Sequence, residues 1–155
     1  MDGRVNAFGG AALPARGRHA WTVAFAGAAG GALYKCAFAG VAERKTAADV
    51  DISEQTGAYG LCDCDDYDAL RVNGESKGAV RRNAHGRAFS RGDSVTCVAD
   101  MDARPRTLAL YRNAEPEPLG TVAGFGAEAY VCAGYNAYSS FACDELVLSF
   151  GGGPV

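Results

Sequence analysis

A chain of 155 residues with a formal net charge of −3 has the size of one domain around one core. That charge provides no general attraction to nucleic acid or anionic membranes, and no apolar run approaches the length of a membrane-spanning helix. Apolar residues make up 48%, much of it alanine; 21 glycines beside one Trp, seven Phe and seven Tyr imply a thin core and many turns in place of long helices.

Strand-like runs follow one another along the chain. Residues 19–26 alternate, with Trp21, Val23 and Phe25 on one face. Residues 33–42 place Leu33, Cys36, Phe38 and Val41 in a second strand, and the slip in their alternation predicts a bulge or twist. Shorter strands are expected at 58–62, 69–73 and 78–81. Residues 94–101 and 106–112 read as a hairpin across 102–105, and runs at 119–123, 129–135 and 144–150 complete the set. The best helical candidate, 42–48, is short. Residues 151–155, Gly-Gly-Gly-Pro-Val, read as a flexible tail. Short strands bounded by Gly, Asn, Asp and Pro predict an all-β sandwich or barrel.

The chemistry-bearing groups are scattered. Cys36, Cys97 and Cys132 each sit in an apolar run, where a thiol acts as a small buried hydrophobe. The run from Cys62 to Asp68 holds four carboxylates and two thiols. It lacks the glycine and closing Glu of a calcium loop and the second ligand pair of a zinc site, so no metal site is assigned and a solvated acidic loop is expected. Arg81, Arg82, His85, Arg87 and Arg91 form a basic stretch accompanied only by Phe89 as a stacking aromatic, so it too reads as solvated and no nucleic-acid partner is expected. Ser90 lacks the setting of a nucleophile elbow. His19, beside Trp21, reads as packed or solvated. No strand carries the facing carboxylates of a sandwich glycosidase, so no catalytic residue is assigned. The first 21 residues contain no stretch of signal-peptide length and the chain has no glycosylation sequon. Reduced cysteines and a cytoplasmic, intracellular location are therefore expected.

Five segments in order resemble the SPRY domain family. They are Gly17-Arg-His-Ala-Trp21-Thr-Val, Ala39-Gly40-Val41-Ala42-Glu43, Tyr59-Gly60-Leu61 where the family has Trp-Gly, the stretch from Gly92-Asp93 through Asp100 and Asp102 to Asn113, and a closing strand ending at Phe150. Tyr59 and the Ala114 after Asn113 depart from the family pattern. The resemblance implies a bent sandwich of two antiparallel sheets, jelly-roll or concanavalin-like. It spans residues 17–150, preceded by a lead-in at 1–16 with no clear PRY segment and followed by the tail at 151–155. It further implies a non-catalytic adaptor module without cofactor, a monomer that binds a partner protein or peptide through its loops, as in the substrate-recruiting part of a ubiquitin ligase. A lectin-like, carbohydrate-binding role is the alternative, because Tyr135, Asn136 and Tyr138 combine aromatic and amide groups. By order along the chain, the matching loop places are 6–14, with Phe8 and Leu13, 68–73, with Arg71 and Asn73, and 135–141, with Tyr135, Asn136, Tyr138 and Ser139. Aromatics among small polar residues make 135–141 the foremost of the three.

Overall fold

The computed structural model describes residues 3–26, 34–45, 52–64, 69–84, 86–137 and 145–150. Among these, eleven strands follow in order: β1 (Gly3–Phe8), β2 (Arg18–Ala26), β3 (Tyr34–Ala42), β4 (Ala58–Cys64), β5 (Leu70–Val72), β6 (Glu75–Gly78), β7 (Ser94–Asp100), β8 (Thr107–Arg112), β9 (Gly120–Ala123), β10 (Tyr130–Ala137) and β11 (Glu145–Phe150). All pairings are antiparallel. One sheet runs β1-β10-β3-β4-β5-β6 and the other β11-β2-β7-β8-β9. This is the expected all-β sandwich.

Strand alternation builds the core. Trp21, Val23 and Phe25 of β2, Val95, Cys97 and Ala99 of β7, and Leu108 and Leu110 of β8 are buried together. They meet Ala37, Ala39 and Val41 of β3, Tyr59 and Leu61 of β4, and Val131 and Ala133 of β10. Each large apolar side chain removed from water contributes roughly 1.5–3 kcal/mol. The first sheet is also covered outside, where Phe38, Ala42, Ala58, Cys62 and Cys132 pack with Ile52 of a 3-10 turn, Ile52–Glu54. β3 is thus buried on both faces, which is one reason its sequence breaks strict alternation. The other is the expected irregularity: Asn136 pairs with Cys36 and Ala137 with Tyr34, so β3 carries one extra residue, Lys35.

Several boundaries differ from expectation. Residues 3–8, read as lead-in, form an edge strand paired along β10. The third short strand is Glu75–Gly78, not 78–81. Asn73 and Gly74 have φ of 56° and 80°, the left-handed pair of a two-residue hairpin, so the chain re-enters the sheet at once. The helical candidate fails where it is described: β3 runs to Ala42 and Glu43–Lys45 are not helical, while 46–48, like the tail 151–155, lie outside the described residues. The hairpin from β7 to β8 forms as expected, its turn closed by Asp100 Oδ1, which accepts N–H from Asp102 and Ala103 at 3.1 Å each.

Gly40 and Gly60 are register partners. A Cβ on Gly40 would lie 2.1 Å from the Tyr59 carbonyl oxygen, and one on Gly60 2.3 Å from that of Ala39. Only glycine lets these two backbones approach so closely. Both positions belong to the segments that carry the family resemblance.

Between β6 and β7, residues 79–84 and 86–93 join the two sheets. The expected solvated acidic loop is corrected at its start, because Cys62, Asp63 and Cys64 end β4 and Asp63 is buried. Its carboxylate accepts from Arg87 Nε at 2.7 Å and from the Ala88 N–H at 3.0 Å. Asp65, Asp66 and Asp68 lie outside the described residues. The basic stretch is corrected at Arg87, which pairs with Asp63; Arg81 and Arg82 are exposed as expected, Arg81 also reaching the carbonyls of Glu117 and Pro118 at 3.1 Å each. His85 lies outside the described residues. From the other sheet, buried Arg112 donates to the carbonyls of Arg81 and Ala88 at 2.9 and 2.8 Å and to Glu115 at 2.7 Å. Arg112's hydrogen bond holds the Glu115 carboxyl below its ordinary range. Phe89 fills the space between, its ring 4.8 Å from that of Phe25.

Two outcomes follow. Gly40→Ala should lower stability by about 2 kcal/mol or more through overpacking, seen as a lower urea midpoint with unchanged slope. Asp63→Asn should cost about 3 kcal/mol, because it leaves the largely buried Arg87 cation without its counter-charge; a loss below ~0.5 kcal/mol by the same measurement would show that the pair behaves like a surface one.

Candidate functional site

The described parts of two of the loop places lie apart: Phe8 pairs with Cys132 of β10, and Tyr135 and Asn136 lie further along that strand. The strand ends at Arg18, Asp100 and Thr107 are register partners at one end of the sandwich, and those near Ala24, Ser94 and Arg112 lie at the other. The backbone of Tyr135 and Asn136 is not a loop. It continues β10, an inner strand, pairing with Val5 and Arg4 on one side and with Ala37 and Cys36 on the other. Tyr138 and Ser139, with the rest of 138–144, lie outside the described residues. Arg71, weighed as a surface contact or solvated residue, is buried, opposite Gly60. Asn73 is committed to its turn, where Oδ1 accepts the Gly57 N–H at 2.7 Å. Phe8 packs half-buried against the outer cluster of the first sheet.

Leu13 is different. After β1 the chain stays beside β10, with Gly9 N–H donating to the Val131 carbonyl at 2.8 Å and Leu13 N–H to the Ala129 carbonyl at 2.7 Å. It then crosses to the other sheet and enters β2 through Gly17, whose φ of 87° suits glycine and whose carbonyl accepts the Met101 N–H at 2.8 Å. Between this crossing and β2 lies a cavity of about 430 Å³. Its walls are small or apolar: Gly9–Pro14 from the crossing, Ala20 and Trp21 from β2, and Val131 from β10, with Arg18 and His19 at the same place.

Few polar groups stand around this cavity, and the indole nitrogen of Trp21 is itself closed off from it. Trp21 is 1% exposed, and its buried Nε1–H has no acceptor among the described residues. His19 Nε2 donates to the Arg16 carbonyl at 2.7 Å, so that nitrogen carries the proton. Arg16 and Arg18 are exposed. Sequence reasoning had placed Trp21 in the core, where its ring does lie. It missed that the same ring walls a cavity, because Gly9–Ala12 offer no pattern that marks a groove.

Residues that could suggest chemistry elsewhere are committed to structure. Ser90 is buried, and its hydroxyl accepts from Asn83 at 2.8 Å. Asp93 accepts from the Ser90 N–H at 2.8 Å and from the side chains of Asn83 and Asn113 at 3.2 and 3.0 Å. Burial pushes the Cys97 and Cys132 thiols well up, which leaves little thiolate. Among the described residues, no three His, Cys, Asp or Glu side chains stand together as metal ligands, and no helix is long and apolar enough to cross a membrane.

No family model matches the sequence, and no curated protein does. Solved structures do resemble the chain. The SPRY domain of human HERC1 is 22% identical with a TM-score of 0.60, over 96% of this chain and 82% of that one. A second human SPRY domain is 15% identical with a TM-score of 0.61, over 95% and 85%. Together with the two antiparallel sheets and the paired glycines, these likenesses establish the architecture: the chain has the SPRY fold.

Proposed function

We propose that the chain is a non-catalytic interaction module that takes a segment of a partner protein into the groove between residues 9–14 and β2. The observation that carries this reading is the groove itself, about 430 Å³. Its size, its apolar walls and its few polar groups are those of a binding site. The fold's solved examples bear the same reading, since the SPRY resemblance implies interaction modules. The commitment of Asp63, Ser90 and Asp93 to structural hydrogen bonds argues against catalysis by them. A role as the recruiting part of a larger assembly, in the cytoplasm and as a monomer, fits this reading. A sugar-binding role draws less support, because the backbone of Tyr135 and Asn136 is held inside the sheet between β1 and β3.

Gly10 provides a clean test. It is exposed, a Cβ there meets nothing within 4 Å, and it lines the groove. Gly10→Tyr should fill the groove, leave the melting temperature within about 2 °C, and abolish capture of specific partners in affinity isolation. Partners kept by Gly10→Tyr but lost on Tyr138→Ala would move the site to residues 135–141. Saturable binding on a glycan array without any protein partner would replace the module reading with the lectin one.

A further inference from the structure

The register of β3 on β4 sets two cysteines opposite one another. Cys36 and Cys64 are partners across this antiparallel pair, which carries no register shift. We infer that they join in a reversible cross-strand disulfide, which gives the chain a thiol–disulfide site independent of the groove.

The kind of pair follows from the backbone. On an inner antiparallel strand a residue turns its N–H and C=O to the same neighbour, and successive residues alternate between neighbours. The Cys62 N–H donates to the Ala69 carbonyl at 2.7 Å, on the β5 side. Cys62 therefore makes no ladder bond to β3, and Phe38–Cys62 is a non-hydrogen-bonded pair. Two residues along, Cys36–Cys64 is of the same kind. Such partners share a face of the sheet, with Cα atoms about 4.5 Å apart. Disulfides span Cα separations of roughly 4.4–6.8 Å, so the bond closes without movement of either strand. The separation is at the short end of that range, which makes the bond one that a thiol buffer can reopen. Competing thiols are out of reach: Cys62, Cys97 and Cys132 are free and buried. Cys143 lies outside the described residues.

The oxidant is a small disulfide such as oxidised glutathione. A thiolate of the pair attacks it, one glutathione leaves as thiolate, and a mixed disulfide forms. The second cysteine loses its proton and attacks the protein sulfur of that mixed disulfide, and the other glutathione leaves. Two protein thiols are oxidised, one glutathione disulfide is reduced, and the two protons end on the two glutathione thiols. The new bond ties the end of β4 to β3 beside Asp63, whose carboxylate holds Arg87 and Ala88. Oxidation thus braces the strand end that anchors these two residues.

The test uses the native full chain, incubated with oxidised glutathione, quenched in acid, alkylated and cut with trypsin. Cleavage after Lys35, Arg44, Lys45 and Arg71 puts Cys36 and Cys64 on separate peptides. The expected result is loss of two of the six thiols, a mass lower by two hydrogens, and a linked peptide whose fragments join Cys36 to Cys64. Excess reduced glutathione should restore both thiols. Cys36→Ser and Cys64→Ser should each prevent the link, and Cys143→Ser should leave it. Six thiols still free, a glutathione adduct that never resolves, or a link from Cys36 to Cys62 or Cys143 would each overturn the inference. So would a link that reduced glutathione does not reopen.

Discussion

The two sheets are bound to one another by a charged clasp, and the rest of the architecture leans on it. Asp63 ends β4 in one sheet and Arg112 ends β8 in the other. Both reach the same coil, meeting at Ala88, whose N–H goes to the carboxylate and whose carbonyl goes to the guanidinium. Adjacent Phe89 is then fixed against Phe25. A packed core of alanine and medium-sized side chains has limited apolar area, so the clasp adds registry to an adhesion that is otherwise non-directional. Buried ionic groups are costly to place. Here each is surrounded by hydrogen bonds, which is the condition under which such a network gives one arrangement of the sheets over its alternatives.

At the other end the sheets are joined differently. The crossing from β1 to β2 holds to β10 through backbone bonds at Gly9 and Leu13, with small side chains between. Where the clasp end is filled by Phe89 and arginine stems, this end is left hollow. Among the described residues the crossing end thus holds a groove, walled in part by the ring of Trp21.

Much of the fold was legible because alternation and turn chemistry both act locally. Trp21, Val23 and Phe25 could be read as one face, and Asp100 with Asp102 as a turn, without knowing what they pack against. β1 was not legible: Gly-Arg-Val-Asn-Ala-Phe lacks a clean alternation, and its pairing with β10 is decided by neighbours more than a hundred residues away. The boundary at Glu75 was legible in principle, since Asn73-Gly74 is a strong two-residue turn signal.

The site was less legible than the fold, and the reason is physical. Acidic and basic runs read as two solvated stretches because a sequence shows charge but not pairing; folded, Asp63 neutralises Arg87 and both leave the surface. Arg71 and Asn73 looked available for the same reason. The converse error applies to Trp21. A lone tryptophan after Gly17-Arg-His-Ala reads as core, and burial does hold it there. Core and cavity wall are not exclusive assignments for a side chain this large, because one edge of the ring can pack while another borders a cavity. What separates them is whether the polar atom is satisfied, and that can be seen only when the acceptors around it are counted. Trp21 keeps its ring in the core while its Nε1–H finds no partner among the described residues, and neither fact can be read from its place in the sequence.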